Sequence, residues 1–500
     1  MQDTTVLGLD LGTSALKLLL LDSAGRPLAS GEQPLETRRP FVGASEQAPE
    51  DWWRALDQGM VALAAKAPAA MGALAAIGLS GQMHGLVDLD AQDRPLGNAI
   101  LWNDNRAHNE AARATLLPGL EARSGLRPAP GLTACKLDWL ARNDPARRDR
   151  IARITFCKDW LRLRMTGIHA TDPCEAAGSL LFDEARRDWS EESLRAFGLH
   201  RIMLPPVLEG PAPTGHLLPE LASRWGIAGK PVVVAGAGDG AAGAIGIGAV
   251  HPEQGFISVG TSAQISVAQG HYAAAPGSTV QILGHGLPGL WYRAAALQSS
   301  GVALSWAAGL TGLSVAALLD AAGTLDPASP APIFLPYLAG ERTPHDNPDA
   351  RGVLFGLMAD HGAAHVGLAV LRGLAFALAD GHAALARLGP MPGRLTMVGG
   401  GARSPLLCKL VASVLDCPLD LLADANAGAA LGAARLALSC LTGQHVADMA
   451  APEVRTTICP DPRLGARLRA DLNVYRHLYA ALVPEFQRLN SSAQKEQSCI

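Results

Sequence analysis

One short pattern occurs twice and constrains this chain more than any other feature: a Gly-Thr-Ser turn between two apolar runs. VLGLDLGTSALKLLLLD (6–22) carries the first copy and GFISVGTSAQISVAQ (255–269) the second. Each reads as a β-hairpin with small residues at its turn. One copy in each half of 500 residues points to a distant internal duplication with a boundary near residues 245–252. That length exceeds what one hydrophobic core supports, so two domains are expected on size alone.

Around these hairpins the periodicity predicts strands over 4–10, 16–22, 27–34 and 75–81. It predicts an amphipathic helix over 50–67, with Trp52 and Trp53 as core residues. Leu, Ala and Arg dominate 105–225, which reads as mostly helical. Residues 231–250 switch from strand through a glycine-rich turn into helix, and 394–405 repeat that change before a further Ala-rich helix over 427–440. Residues 491–500 read as a polar, frayed tail.

Composition excludes several function classes. A net charge of −4 gives no basic footprint for nucleic acid and no polybasic anchor for a membrane. The opening MQDTTVLGLD lacks the cationic start of a secretory signal. The charge-free stretch Ala294–Leu319 is interrupted by Gln298, Ser299, Ser300, Ser305, Thr311 and Ser314, which argues against a span. Eight scattered cysteines without a CxxC pair read as reduced thiols. A soluble, cytoplasmic protein is expected.

A glycine beside small hydroxyls at a β-turn offers backbone N–H groups and hydroxyls to an anion. Gly12, Thr13 and Ser14 on one side, with Gly260, Thr261 and Ser262 on the other, suit the phosphates of a nucleotide. Lys17 either approaches the same phosphates or faces solvent. Asp10 ends an apolar strand, where it is a hard oxygen ligand for Mg²⁺ or a cap on the adjacent turn. Asp239 opens a helix after a glycine turn, where it is a general base or an N-cap. Gly238–Gly243 also matches GxGxxG, but an acid fills its second position and no acid follows about 20 residues on. No Walker A, HRD or DFG pattern occurs.

The ordered segments LGLDLGTSALKLLLLD (7–22), GLSGQMHGLVDLD (78–90), ILWNDNRA (100–107), KDWLRLRMTG (158–167), GAGDGAAGAIGIG (236–248), GFISVGTSAQ (255–264), FLPYLAGERTPHDNPDARGVLFGL (334–357), MVGGGARSP (397–405) and GAALGAARLA (428–437) together resemble the FGGY family of carbohydrate kinases, most nearly its xylulose-phosphorylating branch. The resemblance implies an α/β fold of two ribonuclease-H-like domains of the actin-like ATPase superfamily, with ligands in the cleft between them. By that reading, residues 1–248 form the sugar-binding domain and 249–490 the ATP-binding domain. It implies ATP and Mg²⁺ as cofactors and phosphorylation of a ketopentose at its terminal primary hydroxyl, D-xylulose first, with L-xylulose, ribulose or glycerol as alternatives.

By position, Asp239 matches the catalytic base and Asp10 the Mg²⁺-linked aspartate. Gln82, Met83, His84, Trp102, Asn103, Asp104 and Gly240 match the sugar site, and Gly399, Gly400, Gly401 and Ser404 the turn near adenosine. Gly240 departs from the pattern, which has Asn there and so one more polar contact to the sugar. Family members are often dimers, so the resemblance implies a homodimer as well. A non-catalytic, nucleotide-gated actin-like protein is the distant alternative.

Overall fold

The computed structural model describes residues 4–298, 300–423 and 428–497. Ser299, Ala427 and residues 498–500 lie outside them.

In the first half, β1 (Thr5–Leu11), β2 (Ala15–Asp22) and β3 (Pro27–Pro34) form an antiparallel meander. Helix α1 (Pro49–Lys66) follows, starting with Pro at its first turn and carrying Glu50 and Asp51 there, where they complement the helix dipole. Trp52 is fully buried, whereas Trp53 is only half-buried. β4 (Leu74–Gly81) pairs in parallel with β1. β5 (Pro213–His216), β6 (Val232–Val234) and the short β7 (Ala237–Gly238) complete the sheet in the order β5-β6-β4-β1-β2-β3, with β7 on β4. Helix α2 (Asp239–Gly246) leaves directly from β7.

The second half repeats the scheme. β8 (Gly255–Val259) and β9 (Ala263–Gln269) form the hairpin, and β10 (Gln281–Gly284) and β11 (Trp291–Leu297) extend it. β12 (Leu395–Val398) lies parallel to β8, with β13 (Leu419–Leu422) and β14 (Val454–Ile458) beyond it. The order is β10-β11-β9-β8-β12-β13-β14. In each sheet a hairpin takes a third antiparallel strand on one side and two parallel strands on the other. The three-residue turn falls at the same place in both, between Leu11 and Ala15 and between Val259 and Ala263. These are the two ribonuclease-H-like sheets expected from the sequence.

Four helices of the second half bear on the site and its packing. These are α3 (Gly301–Thr311), α4 (Ala363–Ala386), α5 (Pro405–Leu415) and α6 (Ala429–Thr442). Helix α4 is long and apolar enough to cross a bilayer, but 78% of its apolar window is buried inside the protein, as in a core helix. The last helix, α7, runs Pro462–Gln497, into the segment expected as a tail.

Region 105–225 differs from expectation. Its helices are only five to eleven residues long, among them Thr133–Asn143, Cys157–Thr166 and Pro173–Ala177. Pro145, Pro173 and Pro219 start helices, and Gly125 and Gly167 end them in left-handed conformation. Punctuation by Pro and Gly overrode a helix-rich composition.

A division near residues 245–252 leaves one later helix packed on the first sheet. Helix α6 lies across β1 and β4 and against α2, and Leu431, Ala434, Leu436, Ala437 and Leu438 share a core with Val6, Leu21 and Ala76. Glycines permit the approach. A Cβ at Gly8 would stand 1.9 Å from the Ala430 carbonyl oxygen, one at Gly78 1.9 Å from that of Ala433, and one at Gly432 1.8 Å from that of Ala242. Gly78→Ala is therefore expected to lower unfolding free energy by about 1–3 kcal/mol through overpacking. Gly309→Ala, where a Cβ meets nothing within 4 Å, should leave stability unchanged or raise it by about 0.5–1 kcal/mol; denaturant titration of both variants checks this.

Candidate active site

Asp10 stands one residue before the end of β1, opposite Lys17 in the hairpin register and beside Ser80 of β4. Directly opposed residues share a sheet face, so Lys17 is on the Asp10 face, with its side chain exposed. The Asp10 carboxyl is raised by burial, which outweighs the opposing effect of the Lys17 charge. Its Oδ1 is buried without any hydrogen-bond partner.

Asp239 is the first residue of α2, held there because β7 pairs with the end of β4 (Ala237 with Ser80, Gly238 with Gly81). Parallel pairing through β4 thus brings the starting turn of α2 beside the end of β1. The Asp239 side chain reaches solvent, yet protein surrounds it closely enough that burial, then the Asp10 charge, push its pKa up to about 7. Two carboxylates within electrostatic reach of each other resist ionising together. That is the environment of a base poised near neutral pH, or of a pair awaiting a cation.

The segment after β4 supplies a second wall. His84 has a left-handed backbone, φ 68°, uncommon for a non-glycine residue and costly unless held. Three groups hold it. Its Nδ1–H donates to the Gly178 carbonyl at 2.9 Å, while its own carbonyl accepts from Lys136 Nζ at 2.8 Å and Thr133 Oγ1 at 3.0 Å. Lys136, fully buried, also donates to the Ile100 carbonyl at 3.0 Å, and burial pushes its pKa down to about 7. Burial likewise takes His84 down to about 4, with Lys136 and Arg342 adding repulsion. The imidazole is neutral at physiological pH with Nε2 as an acceptor. Gly178 is required, since a Cβ there would sit 2.4 Å from His84 Nδ1.

Met83 is nearly buried, and its Sδ lies 3.7 Å from Cys174 Sγ and 3.8 Å from Tyr292 Oη. Cys174 sits in the helix Pro173–Ala177, which Asp172 caps by accepting from the Cys174 and Glu175 amides. The other Asp172 oxygen is 2.6 Å from the buried Lys158 ammonium. The KDW segment therefore anchors the helix that backs the sulfur cluster.

Around the first Gly-Thr-Ser turn the hydroxyl of Thr13 is already engaged. It donates to Gln82 Oε1 at 3.0 Å and accepts from Trp102 Nε1 at 3.0 Å, and Gln82 in turn donates to Gln47 Oε1 at 3.0 Å. Gln82, Trp102 and Thr13 thus lock the turn to the neighbouring loops. Asn103 differs, because its Oδ1 is buried without a partner, as expected of a group awaiting a ligand.

Asp104 requires correction. It is fully buried and accepts from the Ser45 amide (2.7 Å) and from the Arg106 amide and guanidinium (2.8–2.9 Å). It is a structural partner of Arg106 and has no oxygen left for a sugar.

In the second half, Thr261 and Ser262 are exposed with no hydrogen bond from their hydroxyls among the described residues. Helix α3 begins against this turn: the Gly301 amide donates to the Gly260 carbonyl at 2.9 Å, and Ser300 Oγ is buried and unpartnered. Sequence reading missed Ser300 and Gly301, because nothing in SSGVALS marks a helix start beside a turn forty residues earlier. It also missed Lys136, Gly178 and Tyr292, whose roles exist only through tertiary contact. Gly399 (φ 85°) and Gly401 press on Val259, with added Cβ atoms 2.6 Å from its carbonyl oxygen and 2.5 Å from its Cγ1. The glycine turn, with Gly400 between them, thereby abuts the second hairpin. Ser404 caps α5 by accepting from the Leu407 amide at 3.3 Å, a structural use of the hydroxyl expected near adenosine.

Comparison with known proteins decides the family. The FGGY carbohydrate-kinase N-terminal domain matches residues 5–246 and the C-terminal domain residues 255–440. The chain belongs to the FGGY family of carbohydrate kinases. This FGGY kinase is 41% identical to a xylulose kinase of Escherichia coli over 96% of its own length and 99% of that protein's. A Klebsiella pneumoniae xylulose kinase is 42% identical over 86% and 89%. Among solved structures, a xyloylose kinase from Brucella ovis superposes with TM-score 0.93 at 39% identity, covering 96% of this chain and 99% of that one. A gluconate kinase from Lactobacillus acidophilus reaches 0.92 at 25% identity, covering 97% and 99%. The dinucleotide and non-catalytic readings of the sequence give way to an ATP-dependent sugar kinase.

The Asp239 environment carries a stability signature. A carboxyl raised in the folded state stabilises fully below its unfolded pKa and loses that contribution as pH rises through the folded value, here from about 4 to about 7. Asp239→Asn is thus expected to melt above wild type at pH 8, with a gap that shrinks toward pH 4. Differential scanning calorimetry across that range would refute the assignment if the gap were constant or reversed.

Proposed function

We propose that this kinase transfers the γ-phosphoryl group of ATP to the terminal primary hydroxyl of D-xylulose, giving D-xylulose 5-phosphate. The observation that carries the reading is Asp239, a carboxyl with pKa about 7 beside Asp10, preceded by Gly238, which packs against Met83. Relatives that bear the name xylulose kinase and align along nearly the whole chain support the choice of sugar. The gluconate kinase with the same fold shows why the fold alone does not choose it.

Phosphoryl transfer asks a protein for position and electrostatics more than for covalent chemistry. In the proposed reaction, Asp239 accepts the proton of the sugar hydroxyl as its oxygen bonds to the γ-phosphorus in line and ADP leaves. Neutral His84 accepts from a second hydroxyl through Nε2, and the amide of Asn103 orients a third. The exposed turn Gly260–Thr261–Ser262, the backbone of Gly12–Ser14 and the Lys17 ammonium face the phosphates; Gly399–Gly401 lies on the adenosine side. Residues 1–248 thereby hold the sugar and 249–490 the nucleotide.

The residues present suit Mg²⁺. The orphaned Oδ1 of Asp10 offers one hard ligand, and no cluster of three or more metal-ligating side chains occurs among the described residues. Magnesium commonly takes one or two carboxylates together with phosphate oxygens and water. Bound there, the ion would neutralise charge on the phosphates and relieve the repulsion between Asp10 and Asp239. The proposal also places the protein in the cytoplasm, supported by seven described cysteines that are all free, and takes a homodimer as the assembly to be tested by sedimentation.

A coupled ADP-release assay over D-xylulose, L-xylulose, the ribuloses, glycerol and gluconate tests the substrate. D-Xylulose should give the highest kcat/KM, and a higher value for another sugar would displace it. Asp239→Ala should lower kcat by at least about 10²–10⁴-fold while the fold and MgATP binding persist. The wild-type kcat/KM should fall as pH drops through about 7, because the protonated carboxyl cannot accept a proton.

A further inference from the structure

Tyr292 belongs to β11 of the second sheet, yet its side chain crosses to the first half and ends over the turn that carries Asp239. A Cβ built on Gly240 would stand 3.1 Å from Tyr292 Oη and 3.7 Å from Cζ. The phenol therefore fills the place that a side chain at residue 240 would occupy. Its ring is 4% exposed and packs edge-on against His285, with centroids 6.3 Å apart.

The hydroxyl is poorly matched to its surroundings. Its only hydrogen-bond contacts among the described residues are sulfurs, Cys174 Sγ at 3.7 Å and Met83 Sδ at 3.8 Å. A phenolic O–H is a strong donor, whereas thiol and thioether sulfurs are weak acceptors. A buried donor left with such partners is disfavoured unless something else satisfies it. Burial, the neighbouring Cys174 and the Asp239 charge all keep the phenol protonated, so it remains a donor across the working pH range.

Its position defines what it can reach. Met83 and Cys174 back it, Gly240 abuts it, and Asp239 is the preceding residue. Because residue 240 has no side chain, nothing from that position stands between the phenol and Asp239; any larger residue would meet the hydroxyl.

We propose that Tyr292 is a specificity-determining residue whose O–H donates to a sugar oxygen close to the hydroxyl that loses its proton to Asp239, supplying the polar contact that Gly240 has no side chain to make. This rests on the sugar-kinase reading of the same site and deepens it, by assigning part of sugar selection to the second sheet. The side chain introduced by Gly240→Asn would meet the phenol, so that substitution alone should impair the enzyme.

The test uses steady-state kinetics of the full-length enzyme with D-xylulose and its mono-deoxy analogues. Tyr292→Phe keeps the ring and removes the donor. It should raise KM for D-xylulose roughly 3- to 12-fold, the range of one neutral hydrogen bond, with little change in kcat or in KM for ATP. One deoxy analogue, lacking the contacted oxygen, should be used equally well by wild type and Tyr292→Phe. In that Phe background, Gly240→Asn should restore part of the lost discrimination. An unchanged KM for D-xylulose, or an equal loss on every analogue, would overturn the proposal, the second outcome showing a merely structural role. Should Tyr292→Phe fail to fold, Tyr292→His, a smaller ring that retains a donor, takes its place: KM for D-xylulose above wild type with the same single analogue spared supports the contact, and no analogue spared removes it. If the wild type phosphorylates no ketose at all, the sugar-kinase reading of this site fails instead, and the contact falls with it.

Discussion

Backbone touching backbone sets the geometry of this protein. Helix α6 rests on β1 and β4 at distances where a single methyl group on Gly8 or Gly78 would collide with a helix carbonyl, and α2 meets α6 the same way at Gly432. Four elements far apart in sequence are thereby fixed as one block. Its edge carries the end of β1, with Asp10, and the start of α2, with Asp239. Packing at this density leaves little freedom for either carboxylate, and their proximity follows from the strand pairing.

From that proximity comes the chemistry. Two acids within electrostatic reach of each other do not ionise independently. One of them, Asp10, has an unpartnered oxygen suited to a cation; the other, Asp239, is raised to about 7, so that near neutral pH its basic and protonated forms coexist. The surrounding polar groups are kept uncharged. His84 is neutral because it is buried, and Tyr292 stays protonated for the same reason. In the proposed reaction, such a neutral lining would bind a polyhydroxylated substrate through hydrogen bonds without competing for the phosphates.

Much of this was legible in the residues. Both hairpins, their shared turn, α1 and the strand-turn-helix around Asp239 fall close to their expected limits, because strict apolar patterning bounded by Gly and Asp leaves few alternatives. Long-range partners were not legible. Nothing in the sequence says that Lys136 straps the carbonyl of His84, that Asp104 is used up by Arg106, or that Tyr292 covers Gly240. Each depends on which loops the tertiary fold brings together. The helices of 105–225 are shorter than their composition suggests because Pro and Gly punctuate them, and α6 packs on the sheet of the first half although it follows the second hairpin in the chain.

The proposed chemistry turns on the charge state of one side chain. Site-resolved titration of the Asp239 carboxyl in the free enzyme, by carbon-detected NMR with labelled aspartate, reads it directly. The predicted midpoint is near 7 and should drop when Asp10 is replaced by Asn, which removes the neighbouring charge. A midpoint in the ordinary carboxylate range near 4, indifferent to Asp10, would contradict the account.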